Sequence, residues 1–283
     1  MEFGQLGMRK RVYLEDLNVL NFSDITVESS EGKELLESFL SEWKRIVEKN
    51  GWENKIIYHL ADEPDEPETL IPSRKKQYAA LRDALSRYFP SSKVCEAVKT
   101  VQFSEYIDIM VPLSETYDNR KAEFDNINLQ RNDLWFYVCC VPNVNYCQRF
   151  LDTPLISGQT MFWAAARASL TGFLHWGLNL MENDQHPFEM TNQFHTYGDG
   201  VCLPAGDSHI VYPDGDKLYY SMRLEACRRG IEDLEMLNIL KSADKACFDA
   251  LTQSVAPSFL FTTDEEQFGA ARIKLFSALE NIK

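Results

Sequence analysis

Asp62 and Glu63 stand side by side at the end of an apolar run, Ile56-Ile57-Tyr58-His59-Leu60-Ala61, and Pro64 follows them. Short apolar runs rich in β-branched and aromatic residues read as buried strands. Proline has no N–H to give to a ladder, so Pro64 ends the pairing just after Glu63. At the C-terminal mouth of a barrel strand, two acids are costly as structure and useful as chemistry. In a partly desolvated cleft a carboxylate pair splits its pKa values, leaving one member a proton donor and the other an anion. The competing reading is a polar opening of a loop, encouraged by Asp65, Glu66 and Glu68. For a DEP tripeptide alone, the loop reading leads.

Such a pair needs a strand in a helix-covered sheet, and the rest of the chain reads as alternating strands and helices. Leu35, Leu36, Phe39, Leu40, Trp43, Ile46 and Val47 form a helical stripe over 31–49, with Ser30 as N-cap and Asn50-Gly51 as the stop. A helix is predicted over 73–89, strands around 94–97 and 107–111, and a polar helix over 118–130. A strongly apolar strand, 134–141, ends at Pro142, and a buried helix over 154–170 precedes a strand over 172–178. After the loop-rich stretch 183–220, Ser221 caps a long helix with Leu224, Cys227, Ile231, Leu234 and Leu237 on one face. Thr263-x-x-Glu266 fits a capping box for a last helix.

This order argues an α/β fold with a parallel sheet covered by helices. No glycine-rich phosphate loop follows any strand, so a (β/α)8 TIM-type barrel fits better than a doubly wound sheet. In a barrel, function collects at the C-terminal strand ends. That gathers Asp62, Glu63, Tyr137 with the 139–146 loop, and Trp176 with Asn179; His59 joins the substrate-binding candidates. Trp176 is either core filler or an aromatic face for the C–H side of a pyranose. Tyr137 serves equally as a hydroxyl donor or as packing. Arg223, Arg228 and Arg229 read as a solvated helix face.

The chain has 283 residues, enough for one large core. Its 43 acidic and 29 basic residues give a net charge of −14, which disfavours nucleic acid and anionic membrane surfaces. Neutral sugars are compatible with that charge. No apolar run approaches the ~20 residues of a membrane span, and no apolar h-region follows the basic N-terminal residues, so no signal peptide is expected. The seven cysteines form an odd set without a CxxC pair. Cys139 and Cys140, neighbours on a predicted strand, point to opposite faces. Buried free thiols explain the set better than disulfides or zinc, which slightly favours a reduced, cytoplasmic location. The five histidines have no HxxxH spacing, so no metal is expected, and no cofactor.

Four segments in this order, GWENKIIYHLADEPDEP, LWFYVCCVPN, LISGQTMFWAAARASLTGFLHWGLN and SMRLEACRRGIEDLEML, resemble glycoside hydrolase family 123 over roughly residues 31–240. The resemblance implies a retaining β-N-acetylgalactosaminidase with an adjacent Asp-Glu pair at the end of barrel strand four. The family's Asp maps onto Asp62 and its Glu onto Glu63; Tyr137 and Trp176 match its aromatic subsite residues loosely. Substrate assistance is the implied mechanism, with Glu63 as acid/base and Asp62 orienting the acetamido group. Two departures stand out. The family's N-terminal β-sandwich is missing, and the loop GDGVCLPAGDSHIVYPDG is long. Three βα units of about 30 residues each should precede strand four, yet only 61 residues do. At most one strand, around 11–20, fits there. The expectation is therefore an N-terminal segment (1–30), the C-terminal part of an incomplete barrel of about six strands (31–243) and a helical tail (244–283). The partners expected are a glycan, together with a missing N-terminal half or self-association through exposed edges. The alternative is an inactive fragment or a glycan-binding remnant.

Overall fold

The computed structural model describes residues 25–130, 133–142, 145–181, 185–192 and 202–282, with the backbone alone at 2–5, 8–9, 12–13, 18–19 and 128–130. His195 and parts of the 139–146 and 183–220 loops lie outside the described residues. The chain folds as two compact units.

The first unit comprises Met1–Thr116 and Arg120–Trp135. It opens with short strands β1 (Glu2–Gln5), β2 (Met8–Arg9), β3 (Val12–Tyr13) and β4 (Asn18–Val19). Helix α1 (Ser30–Asn50), β5 (Ile57–Ala61), α2 (Ile71–Tyr88), β6 (Lys93–Val98) and β7 (Ile109–Pro112) follow. Helix α3 (Ser114–Asn119) bridges to α4 (Lys121–Gln130) and β8 (Asp133–Tyr137). Five strands run parallel in the order β1-β5-β6-β7-β8, and β4 lies antiparallel to β1. This is an α/β fold, a five-strand parallel sheet flanked by helices, consistent with an incomplete TIM-type barrel.

Local chemistry sets the elements. Ser29, one residue earlier than expected, caps α1 by accepting from Gly32 N at 2.9 Å. Gly51 ends the helix at φ 63°, a conformation glycine adopts without penalty. The strand expected around 11–20 is not the parallel neighbour of β5; β1 is. A parallel return needs a helix-length crossover, which α1 supplies between β1 and β5. The short return from β1 to β4 has none, so β4 arrives antiparallel. Tyr58, Leu60, Val94, Val98, Met110, Phe124 and Leu134 are buried around this sheet.

The second unit comprises Tyr117–Asn119 and Phe136–Lys283. It contains α5 (Ser157–Ala168), β9 (Gly172–Leu174), the hairpin β10 (Val211–Asp214) and β11 (Lys217–Tyr220), and helices α6 (Met222–Ala243), α7 (Lys245–Val255) and α8 (Glu265–Glu280). The last two helices, read as a separate tail, belong to this unit. Helices α5 and α6 approach closely: a Cβ on Gly230 would sit 2.4 Å from Phe162 Cδ2. Trp163 Nε1 donates to the fully buried Asp233 at 2.9 Å, and Arg272 of α8 closes on the same carboxylate at 2.8–3.1 Å.

Several boundaries differ from expectation. Strand β8 stops at Tyr137, so Cys139 and Cys140 lie in a bend, not on a strand. Gln148 fastens that bend by donating Nε2 to Cys139 O (3.0 Å) and Pro142 O (2.6 Å). The buried face of α6 includes Arg223, Ala226, Gly230 and Asp233, while Ile231 is 47% exposed. Asp264, not Thr263, caps α8, accepting from Gln267 N at 2.7 Å. Cys95, Cys147 and Cys227 are buried with thiol pKa values pushed up by desolvation, but Cys202 is exposed; none of the seven, all among the described residues, is in a disulfide. Among the described residues no helix is long and apolar enough to cross a membrane.

Candidate active site

His59, Asp62 and Glu63 belong to the first unit; Tyr137, Trp176 and Asn179 belong to the second. Leu60 and Ala61 are fully buried, so the core grips β5 up to the residue before the acids. Backbone pairing with β6 runs through Ile57↔Lys93 and Tyr58↔Val94. Beyond it, the fully buried Glu96 takes over. Its Oε1 accepts from Leu60 N (2.6 Å), Ala61 N (3.2 Å) and the Tyr78 hydroxyl (2.8 Å). Its Oε2 meets His59 Nδ1, which also lies 3.2 Å from Cys95 O. A buried carboxylate is tolerable only beside donors and an opposite charge, here three donors on Oε1 and the His59 ring at Oε2.

Desolvation opposes charge on His59. The hydrogen bond and charge of Glu96, the Cys95 carbonyl and the charge of Asp62 outweigh it and lift the pKa to about 9. Asp62 is open to solvent on one side and surrounded by protein on the other. Desolvation pushes its carboxyl above the usual range, His59 pulls it back, and Glu96 adds to the rise.

Glu63 sits at φ 41°, in the left-handed region. A side chain there costs about 1–2 kcal/mol and interrupts the strict two-sided alternation of a strand. Strain of this kind collects at functional sites. The loop beyond is firmly tied. Asp65, fully buried, accepts from Thr100 N at 2.6 Å and from Lys99 N at 2.9 and 3.1 Å. Glu66 pairs with Lys99 at 2.9 Å, Glu68 with Arg120 at 2.6 Å, and buried Arg74 donates to Glu66 O. The loop reading thus holds for these three acids.

In the second unit, Trp176 follows β9 and is 42% exposed, so it is not core filler. It stacks on His175 (6.0 Å, 22°) and donates Nε1 to Asp207 Oδ2 at 3.2 Å. His175 Nε2 lies 3.1 Å from Asp207 Oδ1, while its Nδ1 accepts from Gly177 N (3.0 Å) and from Arg149. These contacts define the neutral Nε2–H tautomer. Burial lowers the His175 pKa first, and Arg149 lowers it further against the opposing pull of Asp207.

Arg223 is buried, contrary to its reading as solvated; Arg228 and Arg229 are exposed. Its Nη1 donates to Arg149 O (2.8 Å) and Gly206 O (2.7 Å), its Nη2 to His209 O (2.7 Å) and the Tyr212 hydroxyl (3.0 Å). Tyr137 is buried at the end of β8, and exposed Asn179 bridges to His209 through the backbone.

Sequence reasoning missed Glu96, His175, Asp207 and Arg149. Glu96 had a signal: it is the one carboxylate inside the apolar strand Val94-Cys95-Glu96-Ala97-Val98, and a buried acid must have donors. The Asp207 cluster joins segments far apart in sequence, which no local spacing reveals.

In barrel enzymes function collects at the C-terminal ends of the parallel strands, and Asp62 and Glu63 stand at that end of β5. Residues 3–240 match the family described as Glycoside hydrolase 123, catalytic domain, and the chain belongs to that family. It is similar to a solved family 123 glycoside hydrolase from Clostridium perfringens, described in terms of glycolipid glycan hydrolysis, with 18% identity and a TM-score of 0.63. The match covers 90% of this chain and 45% of that one, so the chain spans about half its neighbour's length. No curated protein matches the chain.

Proposed function

We propose that the protein is a retaining glycosidase releasing terminal β-linked N-acetylgalactosamine, or a related N-acetylhexosamine, by substrate-assisted catalysis. The observation that carries this is the adjacency of Asp62 and Glu63 directly after β5, with the chain turned at Glu63. Ordinary retaining glycosidases place two carboxyls about 5–5.5 Å apart across the scissile bond. Two sequence neighbours suit the exception, in which the sugar supplies its own nucleophile.

In the first step the 2-acetamido oxygen attacks the anomeric carbon, the glycosidic bond breaks, and Glu63 gives its proton to the departing oxygen. The product is a bicyclic oxazolinium. Asp62 accepts a hydrogen bond from the acetamido N–H and stabilises the positive charge developing there. In the second step Glu63 removes a proton from water as that water attacks the anomeric carbon, restoring the acetamido group and the original configuration. His59, on the same strand end as the two acids, is the further substrate-binding residue of the first unit; in the second unit Trp176 has an exposed ring face of the kind that packs on a pyranose. The solved neighbour makes a glycolipid glycan the first natural substrate class to try.

The test is hydrolysis of nitrophenyl β-N-acetylgalactosaminide against the β-N-acetylglucosaminide and the plain β-galactoside, with a thiazoline mimic as inhibitor. Cleavage confined to acetamido sugars and inhibited by the thiazoline is expected. Equal cleavage of the plain galactoside would exclude substrate assistance. Binding without cleavage of any of them would favour a glycan-binding remnant.

A further inference from the structure

Glu96 does more than fill a place in β6. With one oxygen it takes the N–H groups of Leu60 and Ala61, the last two residues before the acids. With the other it holds His59 Nδ1, so only Nε2 remains for Asp62 or a ligand. The Tyr78 hydroxyl from α2 completes the cluster at 2.8 Å. As stabilisation this is a poor bargain. Removing a carboxylate from water costs several kcal/mol, and buried ion pairs seldom outperform apolar packing. A neutral glutamine oxygen would serve the Leu60 and Ala61 N–H groups without that cost, which points to a role for the charge beyond stability.

Resting on the assignment of Asp62 and Glu63 above, we propose that Glu96 is a positioning residue for the catalytic step, fastening the end of β5 and holding His59 as the cationic neighbour of Asp62. A cation there is the countercharge of the Asp62 carboxylate that receives the acetamido N–H, set against the desolvation that raises its pKa. The groups around His59 are Glu96 and the Cys95 carbonyl from β6 and Asp62 from the end of its own strand; on β1 its partner in backbone register is Glu2. Behind Glu96 stand Tyr78 and the Arg82–Asp108 ion pair at 3.0 Å.

The test follows the histidine Cε1–H resonances by NMR from about pH 5 to about pH 10, with His59→Asn assigning the signal. In the native protein His59 should titrate at least one unit above the ordinary ~6.5. Glu96→Gln keeps an amide oxygen for Leu60 and Ala61 but removes the charge. It should lower that midpoint by more than tenfold in proton affinity and bring the alkaline limb of kcat/KM down with it, with kcat falling more than KM rises. Titration of native His59 at or below ~6.5 would overturn the proposal, whether or not the variant folds. So would a Glu96→Gln protein whose titration and alkaline limb stay in place. No turnover by the native chain, with His59 still titrating high, would overturn the functional reading and the catalytic role with it. Loss of the His59 shift with turnover intact would overturn the proposal alone.

Discussion

Asp207 holds Trp176 and His175 with one carboxylate, accepting the indole N–H at 3.2 Å on Oδ2 and lying 3.1 Å from His175 Nε2 with Oδ1. An aromatic ring left 42% exposed is thereby held at a set angle by a fully buried acid. An exposed platform needs such a clamp, because its own burial does not orient it.

Asp207→Asn retains one acceptor and turns an amide N–H toward the other donor. Hydrogen bonds to charged groups are worth about 1.5–3 kcal/mol, so the melting temperature should fall by several degrees. KM for a β-N-acetylhexosaminide should rise more than kcat falls. Calorimetry and steady-state kinetics check both; a variant with unchanged melting and KM would contradict the clamp.

Two glycines make opposite forecasts. Gly230→Ala would place a Cβ 2.4 Å from Phe162 Cδ2 and 3.0 Å from Gln159 Cα. Overpacking costs about 1–3 kcal/mol, which outweighs the ~1 kcal/mol gained in helix propensity. Gly269→Ala, in α8, meets nothing within 4 Å, so it should gain about 0.5–1 kcal/mol. Urea midpoints of the two variants should move in opposite directions.

His209 is fully buried, and desolvation together with the charges of Arg223 and Arg149 holds its pKa down at about 4. Its folded pKa lies below the unfolded value of ~6.5. The stability it contributes is therefore present above that value and is lost as pH falls toward 4, where the unfolded chain takes the proton first. His209→Gln should flatten this part of the acid slope of thermal stability relative to the native protein; identical slopes would contradict the assignment.

Much of the frame was legible in local pattern. The stripes of α1 and α2, the apolar run of β5 and the Ser221 cap of α6 each rest on neighbours within a few residues. The adjacent acids at the end of that apolar run were legible too. What was hidden is non-local. Arg223 looks solvated because charged neighbours surround it in sequence, yet four oxygens drawn from residues 149, 206, 209 and 212 receive its N–H groups. Strand β8 read too long because Val138 through Val141 are apolar, while Gln148 pulls that stretch into a bend.

Glu63 carries the proton transfer on which the proposed mechanism depends. General acid catalysis contributes on the order of 10²–10⁴ in rate, and its value grows as the leaving group worsens. The measurement is kcat/KM of native protein and Glu63→Gln on two β-N-acetylhexosaminides, one with an unactivated alkyl aglycone and one with a dinitrophenyl aglycone. The variant should lose at least ~10²-fold on the alkyl glycoside and markedly less on the dinitrophenyl glycoside. Equal losses on both, or an undiminished rate on the alkyl glycoside, would contradict Glu63 as the proton donor.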